Sequence, residues 1–433
     1  MDMSTDNFTE LPSFGESPSM RYRRKKTSEK VIKAADSDDN LHIIVEALET
    51  EEVDLDGLDS TGNTALMIAT RNNSIKFVAT LYEKGAKLDR QDPNGWTALM
   101  IAAINDHIEI LEFLINKGAS LNLSNSGGET ALIVASNDSS RRCATLLASK
   151  KADLDVQSNV GLTALMKASV RNRKETVEML ISTGAKLDVQ DSDGNSALLY
   201  AARNSDSQCV ELLTAKGADM NLQESSGFTA LMISIVNRNI RNAEILTAKG
   251  AKLDLQNKRG FTALMYAINN NDGEVVEFLT DKGALVDIAN VNGDNALNFA
   301  SDSSKGKCLD ILTKRGAVLD HQNAEGLTAL MQAAKNNRGE CVQILVAHGA
   351  NVNLQDKNGN SALAHACIAD NREIILYLIR NNARTTLQNW DGQTPLEQWE
   401  AYNEEPEIKA RVKELLKERL KSTHMGATSC ICF

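Results

Sequence analysis

Residues 92–124 read DPNGWTALMIAAINDHIEILEFLINKGASLNLS, and the same pattern returns at residues 191–223 as DSDGNSALLYAARNSDSQCVELLTAKGADMNLQ. The two stretches agree column by column. The frame runs without insertion from residue 59 to residue 388, which makes ten units of 33 residues. A period of this length predicts a repeat architecture in which one supersecondary unit stacks on the next.

Each column of the unit has a physical role. The threonine in the sixth column, such as Thr97, is suited to cap a helix, and apolar residues follow it at helical spacing. A glycine such as Gly118 is expected to end the second helix in the left-handed conformation, a column that Lys151 and Asn382 occupy in two units. Glycine also fills the fourth column of every unit, where a tight turn needs a positive φ: Gly62, Gly95, Gly128, Gly161, Gly194, Gly227, Gly260, Gly293, Gly326 and Gly359.

The unit resembles the ankyrin repeat, with TALM where that family has T-P-L-H. The resemblance implies an all-α repeat fold, a solenoid of stacked helix-turn-helix units with β-turn fingers. It also implies that turn tips and first helices line a concave surface that commonly binds proteins. Methionine replaces the family's histidine in most units, so we expect apolar packing in place of that histidine's hydrogen bonds. Asn295 and Asn298 make the eighth unit a candidate weak point.

The sequence divides into five predicted segments. Residues 1–27 are expected to form a disordered tail that carries the basic run RYRRKK, and residues 28–58 an N-terminal capping repeat. Residues 59–388 are the ten repeats. Residues 389–421 are expected to form a C-terminal capping repeat and helix, and residues 422–433 a flexible tail.

Composition argues against several classes of protein. The net charge of −11 and the pI near 5.2 disfavour nucleic-acid binding, which needs a basic surface. No apolar run is long enough to span a bilayer, and the first residues do not resemble a secretion leader. Seven irregularly spaced cysteines fit a reducing compartment. We therefore expect a cytoplasmic, monomeric protein.

Neither the cysteines nor the histidines form a recognisable chemical site. Cys143, Cys209, Cys308 and Cys341 all fall in the nineteenth column, which other units fill with residues such as Phe77 and Ile110. We interpret them as small core residues. The six histidines lack zinc-ligand spacing, and no phosphate-binding or nucleophile motif is present. The sequence predicts no enzyme activity, metal or cofactor.

The fifth and thirteenth columns supply a candidate protein-binding surface, because apolar and polar units alternate along them. A line of exposed apolar side chains is what a binding groove needs. Inheritance from a duplicated pair of units would produce the same alternation, and so would local packing between adjacent turn tips. The candidate residues are Trp96, Ile104, Leu162, Val170, Phe228, Val236, Phe261 and Leu327.

The last four residues, CICF, match the C-a-a-X prenylation signal, with Cys430 as the acceptor and a terminal phenylalanine that implies geranylgeranyl. Cys432 is less typical than an aliphatic residue, and the alternative is a free thiol pair in a tail. A single prenyl chain needs a second membrane signal. Candidate basic clusters are Arg21–Lys26 and the set Lys409, Arg411, Lys413, Lys417, Arg419 and Lys421; a solvated helix face or a nuclear-import run would account for them equally.

The favoured hypothesis is a scaffold that binds other proteins and is attached to the cytosolic face of a membrane through Cys430. One rival is a soluble cytosolic or nuclear adaptor with an inert tail. Another is a regulatory subunit of an enzyme complex. The sequence fits a eukaryotic adaptor and a secreted bacterial effector equally well.

Overall fold

The computed structural model describes residues 18–50, 53–137, 141–302 and 305–402. These residues form 23 α-helices and one 3-10 helix, and the only β-type pairing among them is an isolated bridge between Ser124 and Thr130. The predicted all-α repeat fold is therefore confirmed. The chain divides into two compact units at the junction of Ala218 and Asp219, and each is described by itself.

The first unit begins with a helix pair joined by the 3-10 turn Asp38–Asn40, and repeated helix pairs follow it. Its helices are α1 (Pro18–Ala34), α2 (Leu41–Thr50), α3 (Ala65–Arg71), α4 (Ile75–Glu83), α5 (Ala98–Ile104), α6 (Ile108–Asn116), α7 (Ala131–Asn137), α8 (Arg141–Ser149), α9 (Ala164–Val170), α10 (Lys174–Ser182), α11 (Ala197–Ala202) and α12 (Gln208–Ala215).

The second unit continues the same alternation of short first helices and longer second helices. Its helices are α13 (Ala230–Val236), α14 (Ile240–Ala248), α15 (Ala263–Asn269), α16 (Gly273–Asp281), α17 (Ala296–Asp302), α18 (Gly306–Lys314), α19 (Ala329–Lys335), α20 (Gly339–Ala347), α21 (Ala362–Ile368), α22 (Arg372–Arg380) and α23 (Pro395–Tyr402).

The second repeat shows how the sequence builds each unit. The hydroxyl of Thr97 accepts a hydrogen bond from the Met100 N–H at 3.2 Å, which caps α5. Gly95 has φ +77°, and a Cβ there would lie 2.8 Å from the Cα of Asn125 in the next turn. Successive turns therefore approach too closely for any residue larger than glycine.

The methionine of the TALM motif lies in the core, as predicted. Met67, Met100, Met166, Met232, Met265 and Met331 are each 1% exposed. Full burial of such a side chain is worth about 1.5–3 kcal/mol. In two units the sulfur also lies 3.5 Å from the N-cap backbone nitrogen, that of Thr64 in the first repeat and Thr328 in the ninth.

A glutamine ladder runs through the turns, in the last column of the repeat. The Gln256 side-chain amide donates to Gly260 O at 2.7 Å and to Ala289 O at 2.8 Å, and the second oxygen belongs to the residue 33 positions later. One amide group therefore ties its own turn to the next repeat. The same pair of bonds is made by Gln91, Gln157, Gln223, Gln322 and Gln355.

A second ladder uses aspartate and asparagine. The Asp89 Oδ1 accepts from the Ser120 N–H at 2.9 Å, and the Asp254 Oδ1 accepts from the Leu285 N–H at 2.9 Å, each across 31 residues. These bonds satisfy backbone donors that follow the second helix of the next repeat. Both ladders are contacts between repeats that the apolar periodicity did not predict.

The left-handed helix ends follow the prediction. Lys151 has φ +65° and Asn382 has φ +69°. Asparagine tolerates this conformation, whereas lysine pays roughly 1–2 kcal/mol for it.

Asn295 and Asn298 of the eighth repeat both make hydrogen bonds, while the buried Asn298 Oδ1 has no partner among the described residues. Asn295 takes the capping role, since its Oδ1 accepts from the Asn298 N–H at 2.9 Å. The Asn298 amide reaches the next repeat and donates to Leu327 O at 3.2 Å. Ala289 occupies the column that holds glutamine in the ladder, so it cannot donate to Gly293 O. The His321 Nε2–H donates to that oxygen instead, at 2.8 Å.

The N-terminal segment corrects one prediction. Residues 18–27, assigned to a disordered tail, belong to α1. The helix is anchored at Ser28, whose hydroxyl donates to Arg24 O at 2.8 Å and accepts from the Asp54 N–H at 3.1 Å. Thr27 and Ser28 are buried, so a polar-looking stretch packs on the rest of the cap. Residues 1–17 lie outside the described residues.

At the other end, α23 packs on the last repeat. The Glu397 carboxylate accepts from the Thr394 N–H at 2.7 Å, and the Thr394 hydroxyl accepts from the Glu397 N–H at 3.3 Å, which is a capping box. Trp399 is 2% exposed and donates its indole N–H to Asp370 at 2.9 Å. The remainder of the predicted cap and the predicted tail, residues 403–433, lie outside the described residues.

Candidate protein-binding surface

The predicted surface comprises column five at the end of the turn and column thirteen on the first helix. The structure adds column ten of the first helix, which contacts column five of the preceding repeat, and we call the three columns together the first-helix face. Column thirteen carries its most exposed apolar side chains. Ile104, Val170 and Val236 are 37%, 38% and 42% exposed. Ile368 is 45% exposed in the same column and was missed, because the turn of its repeat ends in the polar Asn360. Its column alone could have identified it.

Column five is less exposed than the sequence suggested. Trp96, Leu162, Phe228 and Phe261 are all half-buried. Leu327 is 4% exposed, so its assignment to a binding surface is wrong and it is a core residue. Its turn packs against the first helix of the eighth repeat, where the Asn298 amide bonds to its carbonyl.

The reason for this burial is that column five packs against column ten of the following repeat. The Phe228 and Tyr266 ring centroids are 5.2 Å apart, and those of Phe261 and Phe299 are 5.3 Å apart in an edge-to-face arrangement. Such aromatic pairs are worth about 0.5–1.5 kcal/mol beyond the area they bury. Local packing between neighbouring repeats therefore accounts for part of the apolar pattern in the second unit.

Polar residues in column five are also paired, either with column ten of the following repeat or with column thirteen of their own. The Glu129 carboxylate lies 2.8 Å from the Lys167 ammonium, and both side chains are about a quarter exposed or less. In the first and fifth repeats the column-thirteen residue is an arginine that donates to the column-five asparagine, from Arg71 to Asn63 at 2.9 Å and from Arg203 to Asn195 at 2.8 Å.

In the first unit these contacts leave apolar patches between polar pairs. Trp96, Ile101 and Ile104 line an open cavity of about 340 Å³, together with Arg71 and Asn105. The next apolar position, Val170, lies beyond the Glu129–Lys167 ion pair. This arrangement can accept apolar side chains at intervals and hydrogen-bonding groups between them.

The column-nineteen cysteines are core residues, as predicted. Cys143, Cys209, Cys308 and Cys341 are 0% exposed, and so is Cys367. Burial raises the pKa of the Cys143 and Cys209 thiols to about 12 and that of Cys341 to about 11. These thiols resist forming the thiolate that nucleophilic or metal-binding chemistry needs.

Within the described ranges, no group of three or more His, Cys, Asp or Glu side chains is placed to hold a metal ion. The helices described there also include none with the length and apolar character needed to cross a bilayer.

The predicted membrane elements are only partly described. Cys430 and the basic residues from Lys409 to Lys421 lie outside the described residues. Arg21, Arg23, Lys25 and Lys26 are carried on helix α1, where Arg21 and Arg23 are exposed. The basic run is therefore part of a helix.

The family described as "Ankyrin repeats (3 copies)" matches the chain in seven overlapping stretches, at residues 22–92, 87–158, 117–191, 140–224, 165–257, 231–323 and 297–389. A search of curated proteins found no relative that matches. The matches run from the first cap to the last repeat, over most of the chain. Together with the stacked helix pairs, they show that the chain belongs to the ankyrin-repeat family.

Proposed function

We propose that the chain is a scaffold that binds partner proteins through the first-helix face. Ankyrin repeats support a role in protein–protein interaction. The observation that supports this particular surface as the binding site is the exposure of Ile104, Val170 and Val236, which share one column of alternate repeats. Large apolar side chains kept in solvent at regular intervals favour a partner that covers them. The proposal assigns the chain binding, not catalysis.

The spacing of the apolar positions suggests how a partner would sit on the first unit. Ile104 and Val170 lie two repeats apart, and packed helices are about 8–10 Å apart. The two side chains are then about 16–20 Å apart, which an extended segment of about five or six residues would span. A partner segment with apolar residues at that interval fits this surface.

The experiment compares two aspartate substitutions in one repeat. Val236 on the first helix and Ile240 on the second are both 42% exposed, so Val236→Asp and Ile240→Asp add the same charge at the same exposure. Proteins tagged by proximity labelling in cells would be captured and quantified for each variant. We expect Val236→Asp to reduce capture of specific partners about tenfold or more, because a carboxylate would be buried unpaired at the interface.

Equal capture by the two variants would remove the first-helix face as the binding surface. Ile104→Asp and Val170→Asp repeat the test in the first unit. They are preferable to Phe228→Ala, since Phe228 packs on Tyr266 and its loss would also destabilise the fold.

We further propose that geranylgeranyl on Cys430 attaches the scaffold to the cytosolic face of a membrane. The support is the terminal CICF sequence and the basic run on α1, whose residues would each add about 1 kcal/mol near an anionic leaflet. The repeats would then hold a partner close to the membrane.

The test is membrane fractionation of Cys430→Ser, with Cys432→Ser as the matched control. We expect the first substitution to release the protein into the soluble fraction and the second to leave it bound, since only Cys430 stands at the acceptor position. An unchanged distribution of Cys430→Ser would favour the soluble cytosolic or nuclear adaptor.

A further inference from the structure

The turn tips of the second unit carry a row of exposed side chains that do not belong to the first-helix face. The row occupies column two, directly after the first residue of each turn. We call it the tip row, and it consists of Lys258, Val291, Ala324, Lys357 and Trp390. The same column of the first unit has no cation and no large apolar side chain, since it holds Ser60, Pro93, Ser126, Asn159 and Ser192.

Main-chain hydrogen bonds connect each tip to the one before it. The Val291 N–H donates to Arg259 O at 3.1 Å, and the Trp390 N–H donates to Asn358 O at 3.1 Å. The other three members of the tip row make the same bond to the preceding tip. Successive tips are therefore in contact, and the row follows one edge of the second unit.

The apolar members of the row are unusually exposed. Trp390 is 71% exposed and Val291 is 68% exposed, more than any other large apolar side chain described in the second unit. The Trp390 indole N–H donates to Lys357 O at 2.8 Å. Because its one polar group is satisfied inside the protein, the ring can leave water without losing a hydrogen bond. Tryptophan is enriched where a membrane meets water for this combination of an apolar body and a polar edge.

Each of these apolar side chains has a lysine on the tip before it. Lys258 precedes Val291, and Lys357 precedes Trp390. Neither lysine forms an ion pair with any residue that the structure describes. A lysine stem can lie against apolar neighbours while its ammonium reaches a phosphate.

Column three of the same tips adds Arg259 and two carboxylates, those of Glu325 and Asp391. Columns two and three of these five tips therefore hold three cations and two carboxylates, whereas the chain as a whole has a net charge of −11. A phospholipid headgroup layer complements such an edge, because it offers anionic groups above an apolar interior.

We propose that the tip row is a membrane-contact surface that binds the headgroup layer of an anionic phospholipid bilayer. The proposal rests on the proposed attachment through Cys430, and α23, the last described helix, follows the turn of Trp390 in the same unit. Trp390 and Val291 enter the boundary between headgroups and acyl chains, and Lys258 and Lys357 contact lipid anions. The lipid anchor would attach the protein, and the tip row would set which edge of the second unit faces the bilayer.

The experiment replaces the proposed lipid with a tether that does not depend on prenylation. The full chain with a histidine tag after Phe433 is captured on vesicles of phosphatidylcholine, phosphatidylserine and a nickel-chelating lipid. Brominated acyl chains quench a tryptophan that enters the boundary region, measured against the same vesicles without bromine. The difference between the unaltered chain and Trp390→Phe isolates the signal of Trp390. We expect this signal to be quenched on brominated vesicles.

Charge reversal tests the lysines. The double variant Lys258→Glu, Lys357→Glu should lower the insertion equilibrium constant, obtained from the quenching, about fivefold or more for each lysine, because each cation contributes about that factor near an anionic leaflet. The matched control is Lys87→Glu, Lys186→Glu in the first unit, where the two side chains are 77% and 75% exposed. This control should leave the quenching unchanged. A circular dichroism melt checks that each variant is folded.

Unquenched Trp390, undiminished quenching in the folded Lys258→Glu, Lys357→Glu variant, or an equal loss in the control pair would each overturn the membrane-contact surface. Reduced capture of partner proteins by Trp390→Asp in cells, together with unquenched Trp390, would assign the tip row to a protein partner and equally overturn the proposal. Attachment through Cys430 is judged by its own fractionation experiment, which the tether bypasses. Failure of one is therefore distinguishable from failure of the other.

Discussion

His365 shows how one repeat column changes its chemistry with its neighbours. It stands in column ten, where other repeats have isoleucine, valine, lysine, glutamine or an aromatic residue, and it is 8% exposed. Its Nε2 lies 2.9 Å from the Asp356 Oδ2, and Lys335 and Glu325 are the other charged groups that act on it. Burial lowers the pKa of His365 from its ordinary value of 6.5, against the opposing effect of the Asp356 carboxylate.

This shift predicts a pH dependence of stability. Below about pH 6.5 the unfolded chain takes up a proton at His365 before the folded chain does, so the free energy of unfolding falls with decreasing pH until the folded pKa is reached. Above pH 6.5 this contribution is constant. Urea unfolding at a series of pH values on either side of that point would show the slope, and His365→Gln should flatten it.

Glutamine is a suitable replacement because Gln398 fills the same column in the C-terminal cap, where it donates to Asn360 at 3.2 Å. The exposed His348 provides the control, and His348→Gln should retain the slope of the unaltered chain. An equal slope for His365→Gln and the unaltered chain would mean that His365 is not the group responsible.

At the scale of the helix pair, the glutamine ladder is a contact between repeats that depends on hydrogen bonds alone. We expect Gln256→Ala to lower the free energy of unfolding by about 1–3 kcal/mol, since two carbonyl oxygens lose their donor. Those oxygens belong to Gly260 and Ala289. Chemical denaturation measures the change. The exposed Gln208 is the control, and a Gln208→Ala loss as large as that of Gln256→Ala would contradict the role of the ladder.

The helices could be predicted because each repeats a local signal. Thr97 marks a helix start and Gly118 a helix end by their own backbone preferences, and the period aligns these signals. The start of α1 could not be predicted, because its residues are mostly polar and the hydrogen bond between Asp54 and Ser28 that anchors it is not visible in the local sequence pattern. That contact joins residues 26 positions apart and leaves no periodic trace.

The surface was predicted in part, for a related reason. Exposure of Ile104, Val170 and Val236 follows from their column alone. Burial of Phe228 and Leu327 depends on the facing residue of the adjacent repeat, which a single column does not contain. Reading column five of one repeat against column ten of the next recovers the Phe228–Tyr266 contact and the Glu129–Lys167 ion pair.

At the scale of the whole molecule, most of the specific information lies on the first-helix face. The core columns repeat with small variations, whereas the surface carries apolar positions near Ile104 and the ion pair of Glu129 with Lys167. Under the proposed function, a partner that contacts both Ile104 and the Glu129–Lys167 ion pair of the first unit would be recognised by their order along the chain. Each is weak alone, and binding at linked sites multiplies affinity.

The acceptors of the glutamine ladder are main-chain oxygens, which every amino acid possesses. The two hydrogen bonds of a ladder glutamine therefore form with any sequence in the following repeat, provided that the spacing is 33 residues. Excision of one whole period from any starting point rejoins the chain in register, whereas an excision one residue shorter leaves one interval of 34 residues and moves the glutamine at the seam away from its carbonyl. The ladder therefore tolerates the gain or loss of whole modules, and hybrids spliced at whole periods keep its hydrogen bonds, whereas the pairs between columns five and ten have to be matched at the seam.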